Sequence, residues 1–243
     1  MDAIEMVDVL AVAAHRDDVE QTCGGTLLKL AAAGRRAGIL DLTAGEMGTR
    51  GTAEERAREA EEAARLLGVA WRGNLGLPDA RLENTLENRM KVAAQVRALR
   101  PQLLILPYWE GRHPDHATAG RLGYEACFLA GLRKLDLGGE PHRPKKIIYC
   151  ALYAEVGPTF VVDISAQFER RMAALLAYRS QYDDQAVGSD LFPTRDDVRR
   201  RVEALAAYYG MMIGARYGEP FVLRETLLVD DPLAEICRGR PSI

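Results

Sequence analysis

Three short apolar runs constrain this chain more than any other feature: Val7 to Ala14 (VDVLAVAA), Ala37 to Thr43 (AGILDLT) and Gln102 to Leu106 (QLLIL). A strand with one face in water alternates apolar and polar residues, whereas a nearly continuous run of this length belongs to a strand covered on both faces. Segments of helical pattern separate the runs. The first run leads through Gly24-Gly25 into TLLKLAAAG, and the second leads through a glycine-bearing loop into Ala53 to Leu67, which opens on a Thr52/Glu55 capping-box signature. Asn84 to Leu99 is helical in pattern and stops before Pro101. Further strands are expected at Lys146 to Tyr153, Thr159 to Ile164 and Phe221 to Val229, and further helices at Ala117 to Leu132, Ala166 to Tyr178 and Thr194 to Ile213. This alternation specifies an α/β fold with a mostly parallel sheet built by right-handed crossovers. With 243 residues the chain can bury a large core, and one compact domain spanning residues 1–243 is expected.

Composition narrows the class of partner. A formal net charge of -3 gives no attraction for nucleic acid or an anionic membrane. No apolar run approaches the roughly 20 residues of a membrane span, and no secretory pattern opens the chain. Cys23, Cys127, Cys150 and Cys237 stand singly, which predicts free thiols in a reducing compartment. A cytoplasmic protein acting on a small molecule is the expectation.

In open parallel sheets, ligands gather outside the carboxyl ends of the strands. The first run is followed directly by His15-Arg16-Asp17-Asp18, and the third by the stretch from Pro107 to His116, which ends in His113-Pro114-Asp115-His116. An imidazole and a carboxylate three positions apart on a turn can face one ion, and a second imidazole from another strand end completes a two-His, one-carboxylate face. Such a face leaves coordination positions open, as a catalytic zinc requires. Asp17, aimed at water rather than metal, suits a general base, and His113 a cationic partner for an oxyanion.

Each residue also has a plainer use. Asp17 and Asp18 ahead of a helix could serve as N-caps, and either loop histidine taken alone could be locally hydrogen-bonded. The coincidence of HxxD and HPDH behind apolar runs favours the metal site. His142, in a basic loop, is expected to be solvent-facing or locally bonded. The glycines at 24, 25, 45, 48 and 51 invite a phosphate-loop reading, but the first loop lacks the GxGxxG order and a Lys-Ser/Thr sequel, so a nucleotide site is a poor fit.

The segments AHRDDVE with GGT (residues 14–26), DLTAGEMGTRGT (41–52) and YWEGRHPDH (108–116) resemble the LmbE/PIG-L-like zinc deacetylases. Within that family the likeness is strongest to enzymes that deacetylate N-acetylglucosaminyl-malate in bacillithiol biosynthesis. It extends through GEPHRPKK (139–146), FVVDIS (160–165) and LAYRSQY (176–182). The resemblance implies a Rossmann-like three-layer sandwich and zinc held by His15, Asp18 and His116, with iron or another divalent ion as a chemical alternative. It implies Asp17 as base, His113 as oxyanion partner, and a homo-hexamer; Asp115, two residues on from His113, is a separate candidate to orient that ring. Arg50, Arg56, Arg112 and Arg143 become candidates to bind the malate carboxylates. Two positions depart from the family: its usual proline after the first histidine is Arg16, and Gly111 replaces a frequent acidic residue. Other substrates stay open, namely N-acetylglucosamine, diacetylchitobiose or an amide-bearing thiol conjugate. A non-catalytic Rossmann-like binding module is the alternative from another class.

Overall fold

The computed structural model describes residues 6–152, 155–183 and 193–235. Seven strands, β1 (Val9–Ala13), β2 (Ala37–Thr43), β3 (Trp71–Leu77), β4 (Leu103–Pro107), β5 (Lys146–Cys150), β6 (Phe160–Asp163) and β7 (Gly218–Leu223), form one sheet in the order β3-β2-β1-β4-β5-β7-β6. Strands β3, β2, β1, β4 and β5 pair in parallel, and β7 runs antiparallel to both β5 and β6. The helices are α1 (Asp18–Thr22), α2 (Gly24–Ala32), α3 (Ala53–Leu67), α4 (Leu86–Leu99), α5 (Pro114–Ala130), α6 (Phe168–Leu175), α7 (Arg179–Tyr182), α8 (Arg195–Met212) and α9 (Pro232–Glu235).

The apolar runs are continuous because each feeds two cores. Along β1, Val9, Ala11 and Ala13 pack with α2, α3 and α6, while Leu10 and Val12 pack on the opposite face with α4 and α5. Helices therefore cover both faces of the sheet, giving a Rossmann-like three-layer α/β sandwich. The chain winds outward from β1 to β3 and then returns past β1 to β4. This reversal is the switch point at which doubly wound sheets leave a crevice, and it places the loops after β1 and β4 side by side.

Several elements differ from expectation for identifiable reasons. Strand β3 was not anticipated: its sequence WRGNLGL holds two glycines, and as an edge strand it is only partly buried. The last strand lies at Gly218–Leu223 rather than at 221–229. Gly218 and Pro220 suppress its strand signal, while Arg224 to Leu228 are exposed. Helix α5 begins at Pro114, three residues before the expected start, with Pro at its first turn and His113 as N-cap. The Thr52/Glu55 capping box is present in full. Cys23, Cys127 and Cys150 are free and buried, and Cys237 and Tyr153 lie outside the described residues. Among the described residues, no helix is long and apolar enough to cross a membrane.

Candidate metal centre

At the end of β1 the backbone turns sharply, and hydrogen bonds fix the turn on every side. Thr43 donates to the Ala14 carbonyl through its backbone N–H at 3.0 Å and its hydroxyl at 2.9 Å. The Arg16 carbonyl accepts from both Arg72 Nη2 and the Tyr178 hydroxyl. The Arg16 side chain, standing where the family usually has proline, donates to the Ala53 carbonyl at 2.6 Å and ties the turn to α3. Asp18 does not cap a helix with its side chain; its Oδ2 accepts the His15 backbone N–H at 2.9 Å, so one candidate ligand is anchored on the backbone of another.

From this turn and from the first turn of α5, three donors converge. His15 Nδ1 lies 3.2 Å from His116 Nε2 and 3.5 Å from Asp18 Oδ2, and His116 Nε2 lies 3.1 Å from Asp18 Oδ1. The three residues are buried, with ligand atoms all within 4.8 Å of one another. A tetrahedral ion with metal–nitrogen bonds of about 2.0–2.1 Å would set its ligand atoms roughly 3.3 Å apart, so the donor spacing fits a zinc-sized cation.

The surroundings also favour positive charge at this point. His15 Nε2 faces Asp79 Oδ1 at 3.1 Å and Asp115 Oδ2 at 3.5 Å. Burial opposes charging of the His15 ring, yet Asp18, Asp115 and Asp79 together push its pKa up to about 12. Burial likewise opposes ionisation of Asp79, but His15, Met47 N–H and Ala80 N–H hold its carboxyl at about 2. In the neutral ring, an Nε2–H donated to a carboxylate would leave Nδ1 as the lone pair, the outer-shell arrangement usual for metal-bound histidine. Ala80 donates its N–H to Asp79 and Asp115, each at 2.8 Å, and adopts φ +60. That left-handed conformation, uncommon outside glycine, is retained where the loop must present its N–H to both carboxylates.

Asp17 stands beside the triad rather than in it. Its Oδ1 accepts from Arg56 Nη2 at 3.2 Å, and its Oδ2 accepts from the Tyr182 hydroxyl and from Gln21 Nε2 at 3.2 Å. A carboxylate offers about four acceptor positions; three are taken, which orients the group and leaves room for one more donor. Gly45, at φ +73, admits this arrangement, because a Cβ there would collide with Arg56 Nη1.

His113 is half-buried, with its ring centroid 4.8 Å from that of His15 and 4.7 Å from that of His116. Burial, then the neighbouring His15 and His116, lower its pKa. Its Nδ1 accepts the Asp115 backbone N–H at 3.3 Å. Accepting through Nδ1 leaves Nε2 as the donor nitrogen of that ring, and the downward shift runs against the cationic form expected from the sequence. The Asp115 carboxylate points to His15 and to the Ala80 and Leu82 N–H groups, not to His113.

The candidate arginines divide. Arg56 is buried on Asp17 and the Gly45 carbonyl. Arg50 is buried and donates to the Gln181 carbonyl at 2.7 Å. Arg112 is exposed on the loop before His113. Arg143 is not brought to the site: its guanidinium stacks on Phe128, 4.9 Å from the ring centroid, near the far end of α5. His142 is locally bonded, 2.7 Å from the Pro101 carbonyl oxygen. Asp79, Tyr182 and Gln21 carried no expected role. Asp79 follows β3 directly, so an acidic residue at a strand's carboxyl end was the available signal once that strand is recognised.

Residues 10–127, which contain all three candidate ligands, match the PIG-L family, described as GlcNAc-PI de-N-acetylase. A diacetylchitobiose deacetylase of Thermococcus kodakarensis is 34% identical over 227 residues, covering 87% of this chain and 80% of the relative. Among solved structures, the conserved protein TT1542 of Thermus thermophilus superposes with a TM-score of 0.84 at 44% identity, covering 93% of this chain and 98% of that one. The diacetylchitobiose deacetylase of Pyrococcus horikoshii superposes with a TM-score of 0.77 at 30% identity, covering 90% of this chain and 83% of that one. With both sequence and fold shared over most of its length, the chain belongs to the PIG-L/LmbE family and is an N-deacetylase.

Proposed function

We propose that this enzyme removes the acetyl group from a small N-acetylated amino sugar, with zinc held by His15, Asp18 and His116. The observation that carries the reading is the pairing of this three-donor face with Asp17, a carboxylate held beside it by Arg56, Tyr182 and Gln21. A divalent metal bound there supplies Lewis acidity for the amide carbonyl and lowers the pKa of water. Asp17 takes the proton of the attacking water at its remaining acceptor position. His113 donates its Nε2–H to the oxyanion of the tetrahedral adduct, a contribution whose loss typically costs about 10²- to 10³-fold. Asp17 then returns its proton to the departing amine.

As substrate we propose N-acetylglucosaminyl-malate, the bacillithiol precursor, giving glucosaminyl-malate and acetate. Support comes from the segments GEPHRPKK, FVVDIS and LAYRSQY and from exposed Arg112 beside His113, suited to a carboxylate of the aglycone. Diacetylchitobiose is the second reading, favoured by the Thermococcus and Pyrococcus relatives. Acetate release from the malate conjugate, diacetylchitobiose and N-acetylglucosamine decides: the expected outcome is the highest kcat/KM on the malate conjugate and its selective loss in Arg112→Ala. Metal analysis is expected to give about one zinc per chain, and His116→Ala to lose it; a metal-free preparation with full turnover contradicts the reading. The homo-hexamer belongs to the same proposal and is supported by exposed Leu205, Tyr208, Met211 and Met212 on α8. Sedimentation of the purified enzyme measures it.

A further inference from the structure

We propose that the small apolar cavity beside Asp18 and His116 is an acyl pocket that restricts this deacetylase to the acetyl group, with Val19, Cys150 and Leu152 setting the limit. The inference rests on the deacetylase chemistry above and adds a selectivity to it. The cavity has a volume of about 20 Å³. On a scale where roughly 10–15 Å³ holds one water, it takes one group of methyl size. Two of the three candidate ligands form part of its wall, and Val12, Val19, Pro107, Cys150 and Leu152 supply its apolar surface. Asp17 and His113 are absent from that lining.

The chemistry of an amide explains such a cavity. Its carbonyl carbon carries three substituents: the oxygen belongs at the metal face and His113, and the nitrogen must reach Asp17 and leave with the sugar. The alkyl group is the third, and it alone gains from an apolar wall. The walls come from separate, tightly packed elements. Val12 lies on β1, Val19 on α1 and Cys150 at the end of β5, and they are 2%, 2% and 6% exposed. Val19 and Cys150 belong to one core and Val12 to the other. A close-packed interior of this kind does not swell to admit another methylene without strain. Leu152 is only partly buried, in the segment following β5, and lines the cavity beside Tyr108 and Glu110 of the loop after β4.

One methylene too many in an apolar pocket lowers kcat/KM by roughly 10- to 200-fold. The test compares the N-acetyl, N-propionyl and N-butyryl forms of glucosaminyl-malate and of glucosamine on the metal-loaded enzyme. Propionyl turnover is expected to fall at least tenfold below acetyl, with butyryl lower still. Leu152→Ala and Cys150→Ala, checked for unchanged metal content and melting temperature, are each expected to raise the propionyl-to-acetyl ratio tenfold or more. Leu152 is the safer site to change because it lies outside both cores. Equal acetyl and propionyl turnover in the unmodified enzyme, or an unchanged ratio in both folded variants, overturns the acyl pocket while leaving deacetylation standing. Absence of acetate release from every N-acetyl substrate removes the deacetylase reading and the pocket with it.

Discussion

Replacing Asp17 with Asn is expected to lower kcat/KM for acetate release by about 10²- to 10⁴-fold, the range typical of a positioned general acid–base group, while leaving metal content unchanged. The change is nearly isosteric, and Asp17 is not among the three residues whose donor atoms meet. The loss therefore falls on proton transfer. Two features of the site sharpen the expectation. Asn presents an NH₂ group where Asp17 now accepts from Arg56, Tyr182 and Gln21, so the amide must turn its single oxygen toward some of these donors and leave others unmet. It also cannot receive the proton of the attacking water or return one to the amine. Substrate binding is preserved in this account, so kcat carries most of the change. The measurement pairs single-turnover acetate release with metal analysis of the same preparation. A variant within tenfold of the parent would move the base role to another group, His113 first; a variant that has lost its metal would mean that Asp17 belongs to the coordination set.

The outline of the site was legible because its parts follow the strongest signals in the chain. His15 and Asp18 stand directly behind the first apolar run, and His116 lies behind the third. Since β1 and β4 are neighbours at the switch point, two motifs a hundred residues apart come together by topology alone. The surrounding groups were less legible. Asp79 was hidden because β3, which delivers it, is a glycine-bearing edge strand with weak apolar patterning. The partner of Asp115 turned on where a helix begins. Successive helical residues are rotated by about 100°, so a start at Pro114 sends the Asp115 carboxylate to His15 and the backbone at Ala80, leaving His113 as cap. Arg143 illustrates the converse. Its place in a loop matching the family suggested a substrate role, but local sequence carries no information on which end of α5 that loop packs against, and it packs near Phe128. The downward shift of the His113 pKa was also beyond the sequence, because it depends on burial and on two neighbouring rings contributed by separate elements.

Replacing Arg72 with Met is expected to produce the largest loss of stability. Arg72 rises from β3 into a nearly water-free site where Nη1 meets Glu20 Oε1 at 2.7 Å, while Nε and Nη2 meet Asp41 at 2.9 Å and 3.0 Å. One guanidinium serves two buried carboxylates. Burial already pushes Glu20 up to about 7 against the pull of Arg72, and it raises Asp41 as well. Removing the cation strips both carboxylates of the guanidinium they share, leaving Asp41 only the more distant charge of Arg16, and breaking a buried pair in this way typically costs about 3–5 kcal/mol. At roughly 2–4 °C per kcal/mol for a chain of this size, the melting temperature should fall by about 6–20 °C. The same side chain also donates to the Arg16 carbonyl, between His15 and Asp17, the candidate ligand and the candidate base. Turnover should therefore fall even at temperatures where the variant is folded, with kcat affected more than KM. A triple variant separates the two roles: Arg72→Met with Glu20→Gln and Asp41→Asn removes the stranded charges and should recover much of the melting temperature, yet it cannot restore the donor to the Arg16 carbonyl. Recovery of stability without recovery of kcat is the expected result. Recovery of both would confine Arg72 to holding the fold, with the Tyr178 hydroxyl sufficient to fix the turn that carries the candidate metal ligands.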